Sequence, residues 1–289
     1  MDSLDLVKLK ALMELTSGKP EIIIGLIDGP VVMNHPDLAG NVREVPGKSG
    51  ACAHASSAAC MHGTFVAGIL SARRNSAAPA ICPDCTLLVR PIFSETAQNG
   101  QMPGAKPEEL ASAIIETIDA GARVMNLSVA LEQPSSRGER RLEEALDYAA
   151  RRGVITVAAS GNQGTIGSSA ITRHPWVTPV VACDFQGRPV NQSNLGGSIG
   201  RHGLCAPGDE ITSLGAGGKP LTSGGTSVAA PFVTGAVALL WSAFPDATAA
   251  EIKLAVTQAG APRRNTVVPP LLNAQTAYQR IASARSKIM

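Results

Sequence analysis

A hydroxyl, an imidazole, a carboxylate and a carboxamide each stand where the local sequence lets them act on a substrate. Ser227 lies where Ser223-Gly224-Gly225-Thr226 runs into the apolar segment Val228–Leu240. A serine hydroxyl is a poor nucleophile until a base takes its proton. At a helix start it would have free backbone N–H groups and the positive end of a dipole beside it. Its small neighbours would let a substrate backbone approach. Taken alone, the stretch reads first as a core helix capped by Thr226 or Ser227. The base has five candidates. His35 sits in a turn, His54 in a polar loop, His174 before Pro175 and His202 in a glycine-rich bend, whereas His62 opens an apolar helix in Met61-His62-Gly63-Thr64-Phe65-Val66. A lone histidine at a helix start is usually structural. Asp28 ends the apolar run Ile22–Ile27, where an acid is costly unless paired; a turn through Asp28-Gly29-Pro30 is the alternative. Asn162, between Gly161 and Gln163 after an apolar strand, is either a turn residue or an amide donor for a developing oxyanion.

The elements that must position these groups alternate regularly. Glu21–Asp28, Cys85–Phe93, Ala122–Ala130, Gly153–Ser160 and Val177–Cys183 read as strands. Gly63–Ala72, Pro107–Ala120, Arg137–Arg152, Ala247–Gly260 and Leu272–Ala284 read as helices, with Asp246 or Thr248 available to cap the fourth. Strands separated by helices of this length predict an α/β fold with a mostly parallel central sheet, and in such sheets sites form at the carboxyl ends of strands. Pro46–Cys60 and Ser94–Lys106 read as surface loops, and no linker divides the chain, so residues 1–289 are expected to form one domain.

Bulk properties narrow the function. Only 17% of the 289 residues are charged and the net charge is +2, which points to neither nucleic acid nor an anionic membrane. Aromatic residues at 3% argue against a base-stacking surface. No run of 18 uncharged apolar residues is expected, hence no transmembrane helix, and Met1–Asp5 lacks the apolar core of a signal peptide, so a cytoplasmic location is expected. A nucleotide loop at Gly161–Gly167 lacks both GxGxxG and a P-loop lysine. Cys183 and Cys205 read as buried thiols. Cys52, Cys60, Cys82 and Cys85 leave three states open: two local disulfides, free thiols, or zinc with His54.

Taken together, in the order Asp, His, Asn, Ser, the four groups resemble the catalytic set of the subtilisin-like serine proteases, the subtilases. The resemblance is carried by Ile24–Gly29, His62–Gly68, Asn126–Ser128, Ala159–Asn162, Ala206-Pro207-Gly208 and Gly225–Pro231, and spans roughly residues 15–280. It implies a three-layer subtilisin-like fold. It implies that Ser227 attacks the scissile carbonyl, His62 moves the proton, Asp28 orients His62, and Asn162 with the Ser227 N–H holds the oxyanion. It places Leu127, Ser128, Val129 and Ala130 as a strand that pairs with the substrate backbone, with Ser160 and Gly161 facing it. Arg173 falls where a small residue usually floors the first specificity pocket, so it either shortens that pocket, attracts an acidic residue, or points to solvent. No cofactor and no metal is expected: Arg73 and Arg74 stand where many subtilases hold calcium, which leaves at most a weak site of backbone carbonyls.

Phe65 and Gly29 depart from the histidine and serine common in the family, and the latter change removes a hydrogen bond to Asp28. Fewer than 30 residues precede Asp28, leaving no room for the usual inhibitory pro-domain. With Leu26-Ile27-Asp28-Gly29-Pro30-Val31 and Pro91-Ile92-Phe93-Ser94-Glu95, this resembles the subtilases that cleave leaders from ribosomal precursor peptides, notably the cyanobactin type. That implies a monomer acting on a precursor peptide, by hydrolysis, since the ring-closing type carries an insertion not seen here. A broad-specificity protease and a catalytically silent peptide-binding pseudo-protease are the alternatives.

Overall fold

Apolar runs of four to seven residues supply most of a seven-stranded parallel sheet. In the computed structural model, which describes residues 2–95, 105–131, 139–259 and 266–286, helices α1 (Ser3–Leu6) and α2 (Leu9–Leu15) precede strand β1 (Ile23–Asp28). Strands β2 (Val42–Glu44), β3 (Thr86–Pro91), β4 (Val124–Leu127), β5 (Ile155–Ala159), β6 (Val177–Cys183) and β7 (Leu204–Pro207) complete the sheet, in the order β2-β3-β1-β4-β5-β6-β7. Every residue of β4, β5, β6 and β7 is buried, as strands covered on both faces require. The strand order reverses about β1, which pairs with β3 on one side and β4 on the other.

Side-chain alternation along the strands separates two cores. Ile24 and Leu26 of β1 and Val157 of β5 join the core with helices α3 (Ala58–Ser71) and α8 (Thr226–Ala243). Ile27 and Ala158, one residue on, face the core of α4 (Pro107–Asp119) and α5 (Arg140–Arg152). Three layers result, helices on both faces of a parallel sheet. Short helices α6 (Ala170–Arg173) and α7 (Gly197–His202), an antiparallel pair of β8 (Ile211–Ser213) and β9 (Leu221–Ser223), and helices α9 (Ala249–Gln258) and α10 (Ala274–Arg285) fill the periphery.

Three expectations are corrected. Helix α3 begins at Ala58, not Gly63, because Ser57 caps it by accepting from the Cys60 N–H at 3.1 Å; His62 therefore lies in the second turn, and Cys60 belongs to the helix rather than the loop. Helix α8 is uncharged and long enough to cross a membrane, yet 89% of it is buried inside the fold, so its composition is that of a core helix. Cys52 and Cys60 form a disulfide while Cys82 and Cys85 are buried free thiols, which removes both the second disulfide and the zinc set with His54. Cys183 and Cys205 are buried free thiols; burial pushes Cys205 up to about 12 and Cys183 higher still. The predicted loop Ser94–Lys106 lies largely outside the described residues.

Candidate active site

Asp28 reaches the site as the last residue of β1, at the carboxyl edge of the sheet, and is fully buried. The chain then passes so close to α3 that a Cβ at Gly29 would overlap the Ala59 carbonyl, and one at Gly63 would overlap the carbonyls of Gly29 and Pro30. This contact sets His62, one residue before Gly63, over the end of β1. His62 Nδ1 lies 2.6 Å from Asp28 Oδ1 and His62 Nε2 lies 2.9 Å from Ser227 Oγ. With Nδ1–H donating to the carboxylate, Nε2 is the free base that accepts the serine proton. Burial of His62 opposes its protonation, but the charge of Asp28 and its hydrogen bond outweigh that and raise the pKa above the ordinary 6.5.

The Gly29 N–H donates to Asp28 Oδ1 at 2.5 Å, while Oδ2 has no hydrogen-bond partner among the described residues. The serine that the family resemblance leads one to expect at position 29 is absent. Here the early start of α3 leaves no space for any side chain.

Ser227 is the second residue of α8, so its N–H has no partner one turn back. Neither Thr226 nor Ser227 caps the helix; Gly225 is the N-cap, at φ 122°, a backbone that suits glycine and offers no side chain. The missing cap comes from the loop after β5. The Thr226 N–H and hydroxyl both donate to Asn162 Oδ1, at 2.9 and 3.0 Å. That engages Oδ1 at the helix start, while Asn162 itself lines the cleft. The same Thr226 hydroxyl accepts from the Gly161 N–H at 3.1 Å, which ties the loop after β5 to the start of α8. Thr226 was given no role by the sequence beyond an ordinary cap; a threonine beside the candidate nucleophile was the available signal.

A cleft runs past His62, Asn162 and Ser227, with Ser128, Val129 and Ala130 along one wall and Ile92, Phe93 and Leu110 nearby. Three sequence-predicted substrate contacts are placed elsewhere. Leu127 belongs to the sheet, paired with Ile27 and Ala158 on its two sides, so its backbone is not an open edge. Ser160 is fully buried and outside the cleft lining, although Gly161 lines it. Arg173 ends α6 as an exposed residue that does not line the cleft, with its guanidinium donating to the Ser168 carbonyl at 3.5 Å. The capping box of Ser169 and Thr172 turns the chain into a helix there and carries Arg173 outward.

Among the described residues, Cys52, Cys60 and Glu95 bring potential metal-ligand atoms within 4.8 Å of one another. Their two sulfurs are joined to each other. Glu95 instead accepts from the Ala53 and His54 N–H groups and the Ser57 hydroxyl, holding the loop before α3.

The family model described as Peptidase_S8, the subtilase family, matches residues 19–276. Fervidolysin of Fervidobacterium pennivorans is 31% identical over 273 residues, covering 84% of this chain and 37% of that protein. Subtilisin amylosacchariticus of Bacillus subtilis subsp. amylosacchariticus is 32% identical over 237 residues, covering 80% of this chain and 58% of its own length. The chain thus spans less than two thirds of these curated relatives. Two solved structures match more completely. A serine-to-alanine mutant of the protease domain of PatA has a TM-score of 0.85 and 28% identity, over 92% of this chain and 97% of that one. The prenylagaramide maturation protease PagA has a TM-score of 0.83 and 28% identity, over 94% and 98%. The PatG macrocyclase domain, at 22% identity and a TM-score of 0.79, shares the fold.

Proposed function

This chain belongs to the subtilase family, and from that premise we propose that it is a serine endopeptidase that removes the leader from a ribosomal precursor peptide. The observation that carries the reading is the single line of contacts from Asp28 through His62 to Ser227, at 2.6 and 2.9 Å. His62 Nε2 takes the Ser227 proton as Oγ attacks the scissile carbonyl, and then gives it to the leaving amine. Asp28 holds the tautomer and stabilises the imidazolium. Asn162 Nδ2 and the Ser227 N–H bind the oxyanion of the tetrahedral intermediate. Water then attacks the acyl-enzyme with His62 again as base. Ser128, Val129 and Ala130 offer an extended wall against which a peptide backbone pairs. Arg173 is not part of this machinery.

The structural matches favour a precursor peptide as substrate. The matches to PatA and PagA, both described as maturation proteases, cover 97% and 98% of those chains at 28% identity. Hydrolysis is favoured over ring closure because the macrocyclase likeness rests on fold alone. The test is mass spectrometry of a library of leader-bearing precursor peptides after incubation with the wild type and Ser227→Ala. Cleavage at one junction, lost in the variant, supports the reading. Indiscriminate cleavage would point to a general protease, and cyclised products to transamidation.

A further inference from the structure

Helix α8 contains a defect four residues after Ser227. Pro231 has no N–H, so the Ser227 carbonyl lacks the helical donor that would reach it from position 231. A carbonyl without a donor in this part-buried position is costly, and the fold supplies one from the end of β4. The Ser128 hydroxyl donates to the Ser227 carbonyl at 3.3 Å. Ser128 Oγ accepts from Asn126 Nδ2 at 2.7 Å, and Asn126 Oδ1 accepts from the Thr234 hydroxyl at 2.8 Å. Each group gives one proton to the next, so the chain is polarised in one direction, toward Ser227. Thr234 is seven residues beyond Ser227, two helical turns, and therefore on the same face of α8. The chain of bonds runs beside that face and bridges the proline gap.

The identities of these residues fit no simpler need. Asn126 interrupts the apolar strand Val124-Met125-Asn126-Leu127 and is 0% exposed. Thr234 is also 0% exposed, within an apolar helix, and sends its hydroxyl to Asn126 rather than back along its own helix. Buried polar groups of this kind are expected only where they are fully paired. Neither side chain lines the cleft.

We propose that Thr234 and Asn126 are positioning residues that act through Ser128 on the Ser227 backbone, holding the Ser227 hydroxyl on His62. The proposal rests on Ser227 being the nucleophile. It locates part of the enzyme's reactivity two turns inside the core, in a residue that touches no substrate.

The test uses the rate at which a small fluorophosphonate modifies Ser227, which needs no knowledge of the natural substrate. Thr234→Val keeps shape and removes the hydroxyl; Thr234→Ser keeps the hydroxyl. The second-order rate is expected to fall about three- to tenfold in Thr234→Val, the loss of roughly one hydrogen bond, and to stay within about twofold in Thr234→Ser. Ser128→Ala combined with Thr234→Val is expected to be no slower than Ser128→Ala alone, since both cut one chain. A wild-type rate in Thr234→Val, equal losses in both Thr234 variants, or additive losses in the double variant would overturn the proposal. Should Thr234→Val not fold, Ser128→Ala tests the other end, with an unchanged rate as the contradicting result. A wild type that takes no label at all would instead remove the premise that Ser227 is the nucleophile.

Discussion

Asn162 holds the start of α8 and is the proposed oxyanion donor, and one substitution separates the two tasks. Its Oδ1 accepts from the Thr226 N–H and hydroxyl, closing the start of α8 where Gly225 has no side chain to do so. Asn162 also lines the cleft, and its Nδ2 is the proposed donor to the oxyanion. Asn162→Asp keeps the acceptor and removes the donor. The helix start remains capped, and a carboxylate beside a helix N-terminus is at least as favourable as an amide, so the melting temperature is expected to hold. Turnover is expected to fall about 10²–10³-fold, or roughly 2.7–4 kcal/mol of transition-state stabilisation, with an added penalty from a negative charge facing the oxyanion. Asn162→Ala removes both ends. It is expected to lose the same turnover and also about 1 kcal/mol of stability, the cost of a missing cap. Both variants should leave KM within about twofold, because the donor is used only as the oxyanion forms. The assay is a fluorogenic peptide at saturating and limiting concentration, with calorimetry on the same samples. A near-normal kcat in Asn162→Asp, or a raised KM with kcat intact, would refute the assignment.

Further outcomes follow from the same contacts. The His62 pKa is raised, and the base must be neutral to act, so the acid limb of kcat/KM is expected to have its midpoint above pH 6.5; a midpoint at or below 6.5 would contradict the Asp28 contribution. The same shift adds stability that is fully present below the unfolded-state value and is lost as pH rises through the folded-state value. Gly29→Ser, which restores the residue common in the family, is expected to destabilise by about 1–3 kcal/mol through overlap with the Ala59 carbonyl; calorimetry showing no loss would mean α3 can retreat. Arg173→Gly is expected to leave the ranking of cleavable residues unchanged, since Arg173 lies outside the cleft; an altered ranking in a peptide library would put its side chain back at the substrate.

Elements with long apolar runs were the most legible. Strand β6 has the bounds its sequence suggests, and β1, α4 and α5 differ by a few residues at an end. The start of α3 was hidden because Ala58-Ala59-Cys60-Met61 resembles the small-residue loop before it, and only the Ser57 cap marks the boundary. Short elements such as α7, β8 and β9 carry too few residues for any period to emerge. At the site, residue types and order picked out Asp28, His62 and Ser227, which the fold brings into contact, because each role needs a particular functional group. Pairing was less readable: Leu127 looks like Val129 in sequence, but the sheet claims its backbone on both sides. The supports were least readable of all. Thr226 against Asn162, and Thr234 against Asn126, join residues 64 and 108 positions apart, and nothing local signals either contact.

The central claim is that Ser227 is a nucleophile made reactive by His62 and Asp28. Intact mass and peptide mapping after fluorophosphonate treatment test it most directly. One adduct per chain, located on Ser227, absent in Ser227→Ala and strongly slowed in His62→Ala, is the expected result. A folded protein that stays unlabelled, or that labels at another serine, would contradict the account.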